Sequence, residues 1–267
     1  MVDLSQRIKC HLFVVSPNNS GSTLLHRLIA QSAEVWSLPR EGQHMVGFRG
    51  PSSRSEGLPL VWAARTEWLA RFTAPGVYDW EHNRNLWYFL ATSKRRTASV
   101  FLEKSPPFLL NVGALARGFP GARFVILVRN PYAVVESIVR RSRRRESIAS
   151  HGDLRLLAAQ HVVECLRWQV RNRDKLSDCA LLLKYEELCA DPPGAARRVQ
   201  ALVPVLNDLD FEQTVSVKQI YHGPVADQNL RQLARLTEED LRMINTVFEP
   251  EAPLLGKFGY DLLTRSA

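Results

Sequence analysis

The stretch His11-Leu-Phe-Val-Val-Ser-Pro-Asn-Asn-Ser-Gly-Ser-Thr-Leu-Leu25 crowds hydroxyl and amide side chains around a single glycine, directly behind an apolar run. The apolar run reads as a buried strand and Thr23–Ile29 as the opening of a helix. Gly21 would let the backbone approach a ligand closely. The amides of Ser20, Gly21, Ser22 and Thr23 would point outward at a helix N-terminus, where the dipole favours an anion. The hydroxyls of Ser20, Ser22 and Thr23 and the side-chain amide of Asn19 add donors. This is the chemistry of a phosphate cradle. A Ser-rich helix cap without a ligand would use the same residues. A nucleoside-triphosphate loop needs Gly-x-x-x-x-Gly-Lys-Ser/Thr, whereas Ser16 stands at the first Gly and Ser22 at the Lys. The loop is poorly built for ATP hydrolysis or kinase work.

A second run, Arg123-Phe-Val-Ile-Leu-Val-Arg-Asn-Pro-Tyr-Ala-Val-Val-Glu-Ser-Ile-Val-Arg140, repeats the logic. Its strand delivers Arg129 to a carboxyl end, Pro131 suits the first turn of the next helix, and Ser137 follows about two turns on. Arg presents a planar fork that matches phosphate, and a helix hydroxyl can complete the clamp. At a strand end an Arg also serves in ordinary ion pairs. Two anion sites side by side fit a nucleotide phosphorylated at both ends of its ribose.

These residues act together only if the elements that carry them are neighbours. His11–Val15, Ala98–Leu102, Arg123–Val128 and Ala180–Lys184 read as strands buried on both faces, which suits a parallel sheet. Between them the patterns predict helices at about 22–32, 60–72, 79–95, 131–145 and 153–175. Thr237-Glu-Glu-Asp240 resembles a capping box opening a helix to about Phe248. The alternation predicts an α/β fold, a three-layer sandwich with a central parallel sheet and ligands at the carboxyl ends of its strands. Gly50–Pro59 reads as an exposed loop within a single domain spanning residues 1–267. The aromatic stretches Trp62…Trp68…Phe72 and Tyr78…Trp87-Tyr-Phe89 have helical spacing, which suits either core or the wall of an acceptor pocket.

The composition sets the outer bounds. The chain has 267 residues, 45% of them hydrophobic and 23% charged, which disfavours disorder and small disulfide-stapled scaffolds. No apolar run approaches the ~20 residues of a membrane span. The N-terminus lacks an apolar segment behind a basic start, so a secretory leader is not expected. Cys10, Cys165, Cys179 and Cys189 are scattered without ligand spacing, so reduced thiols, no metal and a cytoplasmic protein are expected. Thirty-five Lys and Arg against 27 Asp and Glu give +8, which calls for an anionic partner. The densest basic run, Arg140 to Arg145, has no interleaved aromatics, so no nucleic-acid partner is expected, and a solvated helix face is its plain alternative.

Taken together, Ser16–Thr23 and Arg129-Asn-Pro-Tyr-Ala-Val-Val-Glu-Ser137 resemble the two phosphosulfate-binding signatures of the sulfotransferase family, which uses 3′-phosphoadenosine 5′-phosphosulfate (PAPS). Phe101-Leu-Glu-Lys-Ser-Pro106 is similar to the Glu-Lys-Thr/Ser-Pro segment of bacterial and carbohydrate sulfotransferases. Leu182-Leu-Lys-Tyr-Glu-Glu-Leu188 with Asp191-Pro192 is similar to a Tyr-Glu-Asp-Leu segment, and Gly256-Lys-Phe-Gly-Tyr260 to a common C-terminal ending. The resemblance runs in order over roughly residues 11–193. It implies a P-loop-like phosphosulfate-binding loop in which Asn19, Ser20, Gly21, Ser22 and Thr23 hold the 5′-phosphosulfate, while Arg129 and Ser137 hold the 3′-phosphate. It further implies sulfuryl transfer to a hydroxyl, less readily an amine, of a small-molecule, carbohydrate or peptide acceptor, with adenosine 3′,5′-bisphosphate as product. The chain departs from the family where a Lys or Arg usually precedes the Ser-Gly core: Asn18 and Asn19 stand there, and Lys104 and Arg27 are the residues available to supply that charge.

Sulfuryl transfer needs a base for the acceptor proton and donors for the bridging oxygen. Glu41, in Pro39-Arg40-Glu41-Gly42-Gln43-His44, resembles the acceptor-side carboxylate of carbohydrate and tyrosyl-protein sulfotransferases; it is the first choice for the base and His44 the second. Pairing of Glu41 with Arg40 or Arg49 on a surface loop is the plain alternative. Lys104 would be the cation aimed at the sulfuryl group, its alternative being a pair with Glu103. Tyr221–Asn229 falls where the family carries a segment over the nucleotide, with Lys218, His222 and Asn229 as candidate contacts. Rival functions are a P-loop nucleotide kinase and a non-catalytic nucleotide-binding homologue.

Overall fold

In the computed structural model, residues 4–57, 60–142, 151–217 and 221–264 are described. Five strands, β1 (Cys10–Val15), β2 (Val35–Ser37), β3 (Val100–Glu103), β4 (Ala122–Val128) and β5 (Ala180–Lys184), form one sheet in the order β2-β3-β1-β4-β5. Every pairing in it is parallel, with Leu12 opposite Leu102 on one side and Arg123 on the other. β6 (Val215–Val217) and β7 (Tyr221–Gly223) make a separate antiparallel pair.

The strands are apolar at consecutive positions because both faces are covered. Phe13, Val15, Phe101, Phe124, Ile126 and Val128 pack on one face into a core with the helices Pro131–Ser142, Leu154–Leu176 and Glu238–Phe248. Leu12, Val14, Val100, Leu102, Val125 and Leu127 pack on the other, beneath the helices Ser22–Ile29, Tyr185–Ala190 and Pro192–Leu202. Alternation of side chains along each strand sorts these residues into the two layers. The α/β three-layer architecture expected from the alternating pattern is therefore what forms. Chain leaving β1 heads toward the β2 edge and chain leaving β4 toward β5, so a crevice opens at the carboxyl ends of these two adjacent strands.

Several local expectations shift. β2 has no counterpart among the expected strands: three residues are too few to show a period, and Trp36 is held by its neighbours and a hydrogen bond to the Ala98 carbonyl (3.0 Å). The helix expected from residue 60 begins at Thr66, since Arg65 is extended, and Trp62 is buried in the turn before it. The helix expected over 79–95 ends at Leu90 and is capped by Asp79, which accepts from the His82 amide. The basic helix runs Pro131–Ser142; Arg143, Arg144 and Arg145 lie outside the described residues. The segment expected as an exposed loop is partly internal: Pro51, Ser52 and Ser53 are buried because the Ser53 amide donates to Gln43 Oε1 (3.0 Å). Trp62, Phe72 and Trp87 are core, and none lines the cavity described below. Among the described residues no helix is long and apolar enough to cross a membrane.

Candidate functional site

The loop after β1 turns sharply. Asn19 and Gly21 both adopt left-handed backbone conformations, with φ of 62° and 87°. Asn tolerates this region better than most side chains, and Gly adopts it freely. Gly21 is required on a second count, because a Cβ there would meet the Tyr185 ring at 2.5 Å. The turn leaves the amides of Asn19 to Thr23 with no acceptor among the described residues. The side-chain donors Ser16 Oγ, Asn18 Nδ2, Asn19 Nδ2 and Ser20 Oγ are buried and equally without partners there. Buried donors are normally satisfied. A run of open amides and hydroxyls at a helix start has the form that an oxyanion group fills.

Arg129 closes the next side. It is buried, with its guanidinium 4.0 Å above the Tyr185 ring. Nε donates to Asn229 Oδ1 (2.8 Å), Nη1 to the Asn19 carbonyl (3.0 Å) and Nη2 to Gln232 Oε1 (2.8 Å). Arg has five N–H donors, so two stay available toward the cavity. Tyr185 is fixed in turn by donating to the Ala226 carbonyl and accepting from the Gln228 amide. Glu186 accepts from the Asn130 amide, from Asn229 Nδ2 and from the Tyr260 hydroxyl. The Tyr-Glu segment and the C-terminal Tyr260 thus meet at the arginine's support. Ser137 and Arg141 line the same cavity, and Arg141 Nη1 donates to Asn19 Oδ1 (2.6 Å).

On the far side of Thr23 stands a buried ion pair. Lys104 Nζ lies 2.6 Å from Glu41 Oε1 and 3.3 Å from Thr23 Oγ1. Burial pushes the Glu41 carboxyl up, but the charge and hydrogen bond of Lys104, a hydrogen bond from Gln43 and the nearby His44 outweigh it, so the net shift is downward. His44 Nε2 is 3.6 Å from Glu41 Oε2; burial lowers its pKa, Glu41 opposing and Arg54 and Lys104 adding to the effect. Beneath the pair, Glu103 turns inward, where its Oε1 accepts from the Gly42 amide (2.8 Å) and the Ser105 hydroxyl (2.6 Å). The Gln43 amide donates to Ser105 Oγ (3.2 Å), which ties the Glu41 segment to the end of β3.

One cavity of about 580 Å³ joins the three parts. Of the residues expected to act there, Asn19, Gly21, Ser22, Thr23, Glu41, His44, Lys104, Arg129 and Ser137 all line it. Ser20 is fully buried behind the turn. Neither alternative pairing forms: Arg49 pairs with Asp79, and Lys104 with Glu41 rather than Glu103. Asn229 supports Arg129, His222 is exposed on β7, and Lys218 lies outside the described residues. Three contributors are not among the residues expected from sequence. Tyr185 and Gln232 act through Arg129, at distances in sequence that no local pattern reveals. His26, one turn past Thr23, lines the cavity with its pKa lowered to about 3 by burial, Lys104 and Arg27. Its three-residue spacing from Thr23 is the available signal.

The geometry has counterparts among known proteins. A family model described as "Sulfotransferase family" matches residues 11–203. The nodulation protein NoeE of Sinorhizobium fredii is 27% identical over 133 residues, covering 47% of this chain and 30% of that protein's length. The chain therefore spans less than a third of that relative. A sulfotransferase from Alicyclobacillus acidocaldarius superposes with a TM-score of 0.58 at 16% identity, covering 96% of this chain and 97% of the other. Sulfotransferase STF9 from Mycobacterium avium gives 0.58 at 14% identity over 97% of this chain and 79% of its own. At these identities the structures share the fold.

Proposed function

This chain belongs to the sulfotransferase family, and we propose that, as one domain, it moves the sulfuryl group of PAPS to a hydroxyl of an acceptor. The observation that carries the reading is the run of open amides from Asn19 to Thr23 ending against the buried Lys104–Glu41 pair. The orphaned Asn18 and Asn19 donors, which line the cavity, fit a phosphosulfate, and the two free N–H groups of Arg129 beside Ser137 fit a second phosphate. When bound, the donor supplies an activated sulfuryl group on its 5′-phosphate.

Glu41, ionised at neutral pH, accepts the proton of the acceptor hydroxyl as that oxygen bonds to sulfur. Lys104 meets the negative charge left on the bridging oxygen as the old sulfur–oxygen bond breaks. Its move from Glu41 toward that oxygen frees the carboxylate of its cation and makes it a stronger base at the moment of need. His44, neutral through burial, hydrogen-bonds the carboxylate or the acceptor. The four unpaired cysteines support a reducing compartment, the cytoplasm.

The test is transfer of labelled sulfate from PAPS across an acceptor panel. Glu41→Gln is expected to abolish transfer and retain adenosine 3′,5′-bisphosphate binding; Arg129→Ala is expected to lose that binding. Bisphosphate binding without transfer to any acceptor would make the chain a non-catalytic homologue. Thermal stabilisation by ATP–Mg²⁺ but not by the bisphosphate would make it a kinase.

A further inference from the structure

Among the described residues, seven cationic side chains line the cavity against a single carboxylate, Glu41. Arg129 and Arg141 meet at Asn19 and belong to the donor end. Arg140 is answered by Glu136 and Lys104 by Glu41. Arg27 follows His26 on the loop helix and, among the described residues, has no ion pair, but it lies one turn from the loop at Thr23 rather than on the Glu41 segment. Arg40, next to Glu41 in sequence, and Arg54, whose charge acts on His44, remain. Neither makes an ion pair or side-chain hydrogen bond among the described residues. Outside the cavity Arg71, Arg95, Arg155, Arg167 and Arg198 each hold an acidic partner.

Arg54 is held in register with the base. It sits in a turn closed by Ser52–Ser55 hydrogen bonds, among them those from the Ser52 amide to Ser55 Oγ (2.9 Å) and from the Ser55 amide to Ser52 Oγ (3.1 Å). The buried Gln43 side chain joins that turn to the carboxylate: its Oε1 accepts from the Ser53 amide (3.0 Å) and its Nε2 donates to Glu41 Oε2 (2.8 Å). The charge of Arg54 is felt at His44, whose protonation it opposes. Among the described residues, the apolar lining of the cavity includes Leu38, Pro39, Leu60 and Pro106, and its one phenol or indole ring is Tyr185, stacked under Arg129.

We infer that the acceptor is an anion: a hydroxyl compound carrying a carboxylate, phosphate or sulfate group that Arg54 and Arg40 read while Glu41 faces its hydroxyl. The inference rests on the sulfotransferase reading. The backbone beside Arg54 is tied to the base through Gln43, and its exposed guanidinium, without a carboxylate, can reach an anionic group on an acceptor held at Glu41.

The experiment uses matched pairs, glucose against glucuronate and glucose 6-phosphate, and 4-hydroxybenzyl alcohol against 4-hydroxyphenylacetate. Each is titrated calorimetrically into the chain saturated with adenosine 3′,5′-bisphosphate. At least one anionic member is expected to bind tenfold or more tightly than its neutral partner, and less tightly as salt is raised. Arg54→Gln is expected to cut that preference to threefold or less, with Arg40→Gln cutting it in part. Equal binding of neutral and anionic members, no binding by any anionic member, or an undiminished preference in Arg54→Gln would overturn the inference. Failure of the bisphosphate itself to bind would sink the donor reading instead.

Discussion

Replacing Gly21 with Ala tests whether the loop, Tyr185 and Arg129 form one anion-binding unit. Two costs arise at this position. The left-handed backbone, φ 87°, penalises any Cβ by about 1–2 kcal/mol. The new Cβ would also lie 2.5 Å from Tyr185 Cδ2, and overpacking of that kind costs about 1–3 kcal/mol. Stiffening of the unfolded chain returns about 0.4–1 kcal/mol. Gly76 supplies the control, for it has φ 70° and nothing within 4 Å of the place a Cβ would take. Gly76→Ala carries only the backbone cost, net about 1 kcal/mol, or roughly 2–4 °C in Tm for a chain of this size. Gly21→Ala should lose roughly 5–15 °C by the same scale. The discriminating readout is binding. Relief of the clash moves the ring on which the Arg129 guanidinium rests at 4.0 Å, so bisphosphate affinity by calorimetry should fall tenfold or more in Gly21→Ala and stay unchanged in Gly76→Ala. A Gly21→Ala protein that binds the bisphosphate within twofold of wild type would refute the coupling, whatever its Tm.

The two buried carboxylates should titrate in opposite senses. Glu41 is held below its ordinary range, so its contribution is present above its unfolded pKa of ~4.3 and lost as pH falls through the folded value. Lys104→Met leaves burial opposed only by Gln43 and His44, and the stability deficit of this variant should grow from pH 4 to pH 8, toward about 3 kcal/mol; a pH-independent deficit would argue against the pair. Glu103 is raised to about 7 by burial, partly offset by Ser105, the Gly42 amide and Lys104. Its contribution is therefore full below pH ~4.3 and lost as pH climbs through about 7, by up to roughly 3 kcal/mol. Glu103→Gln keeps the acceptor for Gly42 and Ser105, so it should gain Tm relative to wild type between pH 5 and pH 8; parallel curves would sink the assignment.

The readable parts of this protein are those whose physics is local. β1 and β4 are continuous apolar runs because both faces are covered, and the donors of Ser20–Thr23 and the fork of Arg129 follow directly behind them. The capping box at Thr237 forms as its four residues suggest, with Asp240 and Thr237 exchanging hydrogen bonds. What could not be read depends on strand order. Lys104 and Glu41 are 63 positions apart and meet because β2 pairs in parallel with β3, which the linear pattern does not state. The support of Arg129 comes from Asn229 and Gln232, about a hundred residues on, and from Tyr185, whose motif is visible but whose purpose is not. Charge alone leaves the partner of Glu41 open among Arg40, Arg49 and Lys104. Packing decides it, because only Lys104 emerges from a strand into the same interior.

The same dependence bears on the loop's missing cation. Asn19 stands where the resemblance leads one to expect Lys or Arg, yet two guanidinium groups converge on it, Arg129 at its carbonyl and Arg141 at its side-chain oxygen. Asn suits this position on independent grounds. Its φ of 62° is tolerated by a short polar side chain, and its amide can accept from Arg141 while Nδ2 stays open. A Lys at 19 would place an ammonium against Arg141 and remove that acceptor. On the proposed reading, the helix Pro131–Ser142 brings positive charge to the loop through Arg141, which a reading confined to the loop would miss. Arg141 joins Lys104 and Arg27 as a source of that charge, and of the three it alone hydrogen-bonds the residue whose charge is missing.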